Sequence, residues 1–246
     1  MQALAGQVAV ITGASRGIGR AAALAFAKAG VHVAVTARNA EELQSLVAEC
    51  QALGVKAQAF PADATDAQAM TAVRDGVLSA FGHVDIVVAN AGVARYGSLL
   101  ETSIEDYDWM MNTNMRTTFL ACHAFVPQMV ERKSGSVIIV SSQAGLYGFP
   151  NEAVYCATKH AQVGFANALD GELRPLGIKV SVIAPGGVRT TFAFGTGRTP
   201  EMPALAGMLE AEDVAEAIVF AAAQPLKSRI PLIEMRPMSE KKYGGA

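Results

Sequence analysis

A tyrosine and a lysine four residues apart are the residues of this chain best suited to chemistry. Tyr155 and Lys159 occupy positions i and i+4, so on a helix they share one face. A nearby cation favours the phenolate over the phenol, which would lower the tyrosine pKa from its usual value of about 10. The pair therefore predicts an aromatic hydroxyl that exchanges a proton near neutral pH.

Two other features belong with this pair. Ser142 follows an apolar run that is typical of a buried strand, and a glycine-rich turn runs from Gly13 to Gly19 near the start of the chain. The serine hydroxyl could orient a substrate, and a turn of this kind could hold a nucleotide. Together these features indicate a proton donor, a substrate-orienting hydroxyl and a nucleotide site.

The glycine turn has the spacing Gly-x3-Gly-x-Gly, with an apolar segment before it and a helical segment after it. Glycine permits a tight turn and close approach of the backbone, and the N-terminus of the following helix then faces a pyrophosphate. The order of strand, turn and helix predicts a dinucleotide site rather than a plain strand-to-helix turn. The residues of this turn that we expect to bind the dinucleotide are Gly13, Ser15, Arg16, Gly17, Ile18 and Gly19.

The end of the second predicted strand indicates which dinucleotide is preferred. NAD sites usually place a carboxylate there for the ribose diol, whereas NADP sites offer a cation to the 2′-phosphate. The segment ends Thr36-Ala37-Arg38, without Asp or Glu, and Arg16 of the glycine turn could contact the same phosphate. Two guanidinium groups suit phosphate binding. We predict NADP(H), the alternative being that both arginines are solvated surface side chains.

Weaker signals follow the third and fourth predicted strands. Asp63, with Ala64 beside it, could accept a hydrogen bond from an adenine amino group. Asn90, Ala91 and Gly92 form a turn of small residues in which backbone could lie against the cofactor.

Composition limits the remaining classes of function. The 246 residues are 51% hydrophobic and 17% charged, with a net charge of -2, which suits one large core and gives no basic surface for nucleic acid. No apolar run approaches the roughly 20 residues of a membrane helix, and no signal peptide is evident. The three cysteines and four histidines are scattered, so neither a disulfide framework nor a metal site is expected. A cytoplasmic protein without membrane or nucleic-acid partners is the simplest interpretation.

Short, near-continuously apolar segments alternate with long amphipathic ones along the chain. This order predicts an α/β fold with a parallel sheet buried on both faces, in one domain over residues 1–246. The predicted strands are Gln7–Thr12, Val31–Thr36, Val55–Phe60, Val84–Ala89, Ser136–Ser141, Ile178–Ala184 and Pro231–Arg236. The predicted helices are Gly17–Ala29, Ala40–Leu53, Asp66–Phe81, Ser103–Arg132, Asn151–Leu176 and Glu212–Ala223, with Asp66 and Ser103 as N-caps.

Two regions depart from this alternation. Residues 190–210 are rich in Thr, Gly and Pro, and they follow the sixth strand at the edge of the sheet where ligands bind in such folds. They are expected to form a substrate lid or, as the alternative, a plain surface loop. The tail, residues 238–246, is expected to be frayed.

At this point the chain resembles the short-chain dehydrogenase/reductase family over roughly residues 5 to 237. The motifs that carry the resemblance stand in order as Thr12-Gly13-x3-Gly17-x-Gly19, Asn90-Ala91-Gly92, Asn114, Ser141-Ser142, Tyr155-x3-Lys159 and Pro185-Gly186. The resemblance implies a Rossmann-type doubly wound parallel sheet of about seven strands, with helices on both faces. It also implies hydride transfer between NADP(H) and a carbonyl or secondary alcohol.

The resemblance assigns roles to four residues. Tyr155 would be the general acid in reduction and the base in oxidation, with its pKa lowered by Lys159 and the oxidised nicotinamide. Lys159 would also bind the nicotinamide ribose, and Ser142 would bind the substrate oxygen. Asn114 matches the asparagine that interrupts a helix and anchors a water leading to the lysine, with Asn112 as its rival.

The resemblance also implies a nicotinamide contact and a substrate pocket. Pro185, Gly186, Val188 and Thr190 would contact the nicotinamide carboxamide. A mostly apolar pocket suits a small or medium-sized ketone or aldehyde, and Arg95 could meet an anionic group or face solvent. The expected pocket residues are Val93, Ala94, Arg95, Gln143, Leu146, Tyr147, Phe149, Gly187, Phe192 and Phe194.

Two alternatives to a general carbonyl reductase stay open. One is a 3-oxoacyl-carrier-protein reductase, although Ile230–Pro237, the segment of the last predicted strand, lacks the glycine pair usual in such members. The other is a dinucleotide-binding regulator without chemistry. The resemblance further implies a homo-oligomer, a tetramer or dimer joined by two long helices. Small residues at Ala157, Ala161, Gly164 and Ala168 could serve that contact or pack within the subunit.

Overall fold

Seven strands form one sheet in the computed structural model, which describes residues 3–225 and 227–240. Their order is β3-β2-β1-β4-β5-β6-β7, and every neighbouring pair is parallel, as the sequence predicts. The strands are β1 (Val8–Thr12), β2 (His32–Thr36), β3 (Ala57–Ala59), β4 (Ile86–Ala89), β5 (Gly135–Val140), β6 (Ile178–Pro185) and β7 (Leu232–Met235).

Seven α-helices connect and cover these strands within the described ranges. They are α1 (Gly17–Lys28), α2 (Ala40–Ala52), α3 (Ala67–Phe81), α4 (Ile104–Met111), α5 (Thr117–Arg132), α6 (Ala153–Leu173) and α7 (Ala211–Ala222). The side chains of Asp66 and Ser103 accept hydrogen bonds from the first backbone N–H groups of α3 and α4. Both predicted N-caps are therefore confirmed.

The sheet separates two cores, which explains the continuous apolar character of its strands. Along β1, Ala9 and Ile11 face the core covered by α1, α2 and α7. Val8 and Val10 face the opposite core, covered by α3, α5 and α6. Because successive side chains point to opposite faces, a strand covered by helices on both sides must be apolar at every position.

The predicted helix Ser103–Arg132 is not continuous. A π-helical turn, Asn112–Arg116, separates α4 from α5. Within this turn the Asn114 side chain is hydrogen-bonded to the backbone of Val93. The backbone carbonyl oxygen of Asn114 accepts hydrogen bonds from the side chains of Thr118 and Gln162. These contacts come from outside the helical ladder, so local helix propensity could not show the interruption.

Other predicted elements differ only at their ends. The third strand is Ala57–Ala59 rather than Val55–Phe60, because β2 pairs with just these three residues. The last turn of the predicted helix Asn151–Leu176 is a 3₁₀ turn at Arg174–Leu176. No helix in the described ranges is long and apolar enough to span a membrane.

The strand order places the start of the chain at the centre of the sheet. From β1 the chain moves outward through β2 to β3, then returns to the other side of β1 as β4. The carboxyl ends of β1 and β4 thus flank the point where the winding reverses. A crevice forms there in sheets of this kind, and ligands bind in it.

Residues 190–210 are tied to the loop that follows β4. Tyr96 N donates to Thr196 O at 2.8 Å, and Thr196 Oγ1 donates to Ala94 O at 2.7 Å. A Cβ on Gly197, whose φ is +137°, would collide with the Tyr96 ring. This segment therefore lies against the carboxyl edge of the sheet, although its role as a lid stays a prediction.

Two hydrogen bonds involve the end of the described chain. Ser239 Oγ donates to Gly207 O, and Glu240 N donates to Pro237 O at 3.0 Å. Ser239 thus contacts the 3₁₀ turn Pro203–Gly207, whereas Met238 is fully exposed, and the expectation of a frayed tail stays a prediction. Residues 241–246 of that expectation lie outside the described residues.

Candidate active site

One cleft of about 1590 Å³ runs along the carboxyl edge of the sheet. It brings together nearly all the residues that the sequence predicts for a cofactor and for chemistry. Those that line it are Gly13, Ser15, Arg16, Gly17, Ile18, Arg38, Asp63, Ala64, Asn90, Ala91, Gly92, Ser142, Tyr155, Lys159, Pro185, Gly186, Val188 and Thr190. Gly19 and Asn114 lie behind its wall and shape it indirectly.

The glycine turn is shaped by close contact with the end of β4. Gly13 has φ +64°, and a Cβ there would lie 2.8 Å from Ala91 Cα. A Cβ on Gly19 would collide with the Gly13 carbonyl oxygen. Asn90 Nδ2 donates to Thr12 O at 3.0 Å and to Gly13 O at 3.2 Å. Glycine is therefore required at both positions, because the turn packs backbone to backbone against the end of β4 and against itself.

The two predicted arginines lie at the end of the cleft that β2 and β3 reach. Arg16 is the N-cap residue of α1, and its side chain makes no capping hydrogen bond. The pKa of Asp63 is lowered, chiefly by the hydrogen bond from Thr65 N, and the positive charge of Arg38 also lowers it. Asp63 Oδ1 accepts from Thr65 N at 2.9 Å and from Thr65 Oγ1 at 2.8 Å.

The same end holds a carboxylate that the sequence interpretation did not place there. Glu42, in the first turn of α2, lines the cleft together with Asn39. Asn39 Oδ1 accepts from Glu42 N at 3.1 Å and starts the helix. The residue lies several positions beyond the end of β2, and only the direction of α2 brings it to this corner.

Tyr155 and Ser142 meet at the other end of the cleft through a side-chain hydrogen bond. Ser142 Oγ also donates to Pro185 O at 3.4 Å and accepts from Ala144 N at 3.1 Å. Burial raises the pKa of Tyr155, the charge of Tyr96 adds to this, and the bond to Ser142 opposes it. The two hydroxyls stand side by side where they could bind one oxygen atom.

Lys159 does not act on the tyrosine in the way that its spacing predicts. Its Nζ lies 5.8 Å from the centre of the Tyr155 ring and donates to Val140 O at 3.1 Å and to Gln162 Oε1 at 3.0 Å. Burial lowers the pKa of Lys159 itself to about 7. The cation whose charge lowers the pKa of Tyr155 is Arg198. The expectation of a lysine-depressed tyrosine pKa is therefore wrong here, because desolvation is the largest influence on both groups.

A buried chain of hydrogen bonds connects Lys159 with the π-helical turn. Gln162 Oε1 accepts from Lys159, while Gln162 Nε2 donates to Asn114 O at 3.0 Å and to Thr118 Oγ1 at 2.7 Å. The Asn114 side chain bonds the Val93 backbone and Thr158 Oγ1. Asn114, rather than Asn112, is thus the asparagine connected to the lysine. Gln162 was missed, since its i+3 spacing from Lys159 is common in helices.

The substrate end of the cleft contains most of the expected pocket residues. Val93, Ala94, Gln143, Phe149, Gly187, Phe192 and Phe194 line it. Three of the expected residues do not. Arg95 pairs with Asp106 at 2.7 Å, Leu146 packs against the core under α6, and exposed Tyr147 bonds Glu234 at 3.3 Å. The anion-binding role considered for Arg95 is therefore not supported.

Several lining residues were not anticipated. Tyr96 packs edge-on against Tyr155, with ring centres 5.9 Å apart. Glu152, Arg198 and Trp109 also line the cleft. Arg198 comes from the irregular segment 190–210, and no local pattern shows where such a segment directs its side chains.

Comparison with known proteins identifies the family. The family model described as short chain dehydrogenase matches residues 7–200. The chain belongs to the short-chain dehydrogenase/reductase family. It is thus an oxidoreductase of that family, as its motifs indicate.

Individual members show how broad the family is. The chain is 33% identical over 240 residues to the sepiapterin reductase of Chlorobaculum tepidum, covering 94% of this chain and 96% of the relative. It is 36% identical over 233 residues to a 3-oxoacyl-[acyl-carrier-protein] reductase of Synechocystis sp., covering 94% of each.

Solved structures of the family superpose closely on this one. An alcohol dehydrogenase from the archaeon Thermococcus sibiricus, complexed with 5-hydroxy-NADP, matches with a TM-score of 0.89 and 30% identity, covering 96% of this chain and 98% of the other. A metagenomic short-chain oxidoreductase in complex with NADP matches with a TM-score of 0.83 and 33% identity, covering 97% and 100%.

Proposed function

We propose that this protein interconverts a carbonyl compound and an alcohol, with NADP(H) as the hydride carrier. One observation carries the proposal. A single cleft holds two guanidinium groups, Arg16 and Arg38, at one end and the hydrogen-bonded hydroxyls of Ser142 and Tyr155 at the other. That arrangement suits a dinucleotide stretched along the sheet edge with a reacting carbonyl beside the two hydroxyls.

The residues present fit such a cofactor. The glycine turn leaves no side chain between the backbone and a pyrophosphate at the N-terminus of α1. Arg16 and Arg38 suit a 2′-phosphate, and the two NADP-bound relatives support this choice. Pro185, Gly186, Val188 and Thr190 would flank the nicotinamide. When bound, NADP(H) supplies or accepts the hydride, and the protein supplies orientation and a proton.

Each of the four residues that the sequence predicts to be catalytic then has its own role. Ser142 holds the substrate oxygen, and Tyr155 gives it a proton in reduction or takes one in oxidation. The amine of Lys159, with a pKa near 7, can exchange a proton at neutral pH. Asn114 fixes the turn that, through Gln162, holds this amine in place.

Removing the Tyr155 hydroxyl tests the reaction. We expect Tyr155→Phe to lower kcat for an aldehyde such as 4-nitrobenzaldehyde by at least about 100-fold, because a positioned general acid contributes that much or more. NADPH binding should change little. The measurement is NADPH absorbance under saturating cofactor. Tyr147→Phe is the matched control, since that tyrosine lies outside the cleft. Near-normal turnover in Tyr155→Phe would refute the proposed role of Tyr155 as the general acid and base.

The same assay decides the cofactor and the alternatives. NADPH should support a higher kcat/KM than NADH, and the reverse would overturn the NADP(H) assignment. A 3-oxoacyl thioester belongs in the substrate panel, because one relative is named as a reductase of such a substrate. A protein that binds NADPH but reduces nothing in a broad panel would be a regulator instead.

We also propose that the protein forms a homo-oligomer, a dimer or tetramer, through the outer faces of α5 and α6. Phe119 is 45% exposed on α5, with its ring 6.4 Å from that of Phe165 on α6. Ala157, Gly164 and Ala168 are exposed along α6 rather than packed within the subunit. Small residues beside an exposed aromatic side chain allow two helices to approach closely.

A cytoplasmic location is proposed because the three cysteines are free.

A further inference from the structure

The substrate end of the cleft contains a positive charge that the proton-transfer residues do not require. Arg198 lines this end and is half-buried. Among the described residues it forms no ion pair. A guanidinium in a partly apolar cleft loses hydration, and an anionic partner offsets that loss better than a neutral one. The cleft therefore carries a charge whose natural partner is a ligand.

Two contacts hold the Arg198 side chain beside the reacting centre. Nη1 donates to Val188 O at 3.2 Å, and the side chain hydrogen-bonds that of Tyr96. Its Cζ lies 5.9 Å from the centre of the Tyr96 ring, which packs edge-on against Tyr155. Five N–H donors are available on a guanidinium, so these contacts leave donors for a ligand oxygen.

The surrounding carboxylates do not take up this charge. Glu240 is paired with Arg236 at 3.5 Å. Glu152 lines the cleft, lies beyond ion-pair distance of Arg198, and has a pKa raised by burial, which the charge of Arg198 opposes. Glu152 thus competes for Arg198 only at long range.

We propose that Arg198 determines substrate specificity by binding an anionic group of the substrate, most simply a carboxylate, while the carbonyl lies at Ser142 and Tyr155. This inference rests on the proposed function and narrows its substrate class to oxo acids or the corresponding hydroxy acids. Because the Tyr96 ring contacts both Arg198 and Tyr155, we place the carboxylate several bonds from the carbonyl rather than next to it.

The decisive experiment compares 4-oxopentanoate with its methyl ester. The two have the same carbonyl and differ chiefly in charge. We expect the wild-type protein to show a kcat/KM for the acid at least about 10-fold above that for the ester. In Arg198→Met the acid should lose about 10- to 100-fold and the ester less than about 3-fold, as for one charge-assisted hydrogen bond.

Two further variants separate charge from structure. Arg198→Lys keeps the charge and should retain part of the preference for the acid. Glu152→Gln removes the competing negative charge and should raise kcat/KM for the acid but not for the ester. If Arg198 only held segment 190–210 in place, Arg198→Met would impair acid and ester equally, which would overturn the inference. An ester preference in the wild type would do the same.

The cofactor is a second possible source of the anion, through its pyrophosphate. Trp109 is the chain's single tryptophan and lines the cleft, so its fluorescence can report NADPH binding. We expect the same NADPH Kd in the wild type and in Arg198→Met. A large rise in that Kd would assign Arg198 to the cofactor instead.

The failure of this inference can be told apart from the failure of the proposed function. If 4-nitrobenzaldehyde is reduced with NADPH but the oxo acid is not favoured over its ester, only the inference fails. If no carbonyl compound is reduced, the proposed function fails as well.

Discussion

At the scale of single residues, burial changes what the tyrosine and lysine can do. Spacing alone predicts that Lys159 lowers the pKa of Tyr155. Instead the loss of hydration raises the pKa of Tyr155 and lowers that of Lys159 to about 7. The lysine is therefore the group that changes its charge near neutral pH, and Gln162 and Val140 hold it where it can do so.

The titration of Lys159 makes a prediction about stability. Its pKa falls from 10.5 in the unfolded chain to about 7 in the folded protein, so between these values the unfolded state binds more protons. Lys159 should therefore increase the free energy of unfolding as pH rises from about 7 to about 10. In Lys159→Met that gain is lost.

Urea unfolding of both proteins across this pH range checks the prediction. The quantity to follow is the difference between the two free energies of unfolding, because the raised thiol pKa values of Cys50 and Cys122 affect both proteins alike. That difference should shift in favour of the wild type with increasing pH. A difference that stays constant, or moves the other way, would show that Lys159 keeps its charge in the fold.

At the scale of elements, the irregular segment 190–210 decides the shape of the substrate end. It brings Phe192, Phe194 and Arg198 to the cleft and is fastened to the loop after β4 through Thr196. These contacts join parts of the chain about a hundred positions apart. They also give the proposed lid a defined place to close against.

Loosening this contact should affect substrate binding and spare the cofactor. Thr196→Val keeps the side-chain shape but removes the 2.7 Å hydrogen bond to Ala94 O. We expect KM for the carbonyl substrate to rise about five-fold, since a lost hydrogen bond costs about 1 kcal/mol, and NADPH Kd to stay the same.

Steady-state kinetics and Trp109 fluorescence measure the two quantities. Thr71→Val is a suitable control, because that hydroxyl donates to Ala67 O within its own helix. An unchanged KM in Thr196→Val would argue that segment 190–210 is a plain surface loop.

At the scale of the whole molecule, the proposed homo-oligomer can be tested on the exposed face of α6. Gly164 lies on α6 with nothing within 4 Å of the place where its Cβ would be. A large side chain there should fit the separate subunit and block close approach of a second one. Gly164→Trp should therefore convert the oligomer to monomers without loss of fold.

Size-exclusion chromatography with light scattering measures the mass of each species. Ala52→Trp, at an exposed position at the end of α2, adds the same side chain away from the proposed contact and should leave the oligomer intact. A wild-type protein that elutes as a monomer would refute the proposal directly.

The sequence by itself determined the sheet, the helices on both faces and the residues gathered at its carboxyl edge. It could do so because the alternation of strand and helix segments, the glycine spacing and the N-caps are visible in short stretches of sequence. In addition, parallel strands bring their carboxyl ends to one edge of the sheet. The order of strands and turns along the chain therefore suffices to place Thr12, Gly13 and Asn90 near one another.

Only the tertiary structure decided the electrostatics and the substrate end of the cleft. The raised pKa of Tyr155, the bond from Lys159 to Gln162 and the π-helical turn at Asn114 depend on which distant segments exclude water or supply a hydrogen-bond partner. The same holds for Arg198, which an irregular segment brings to the cleft. Desolvation and long-range contacts are properties of the packed chain, so the spacing of residues along the sequence does not contain them.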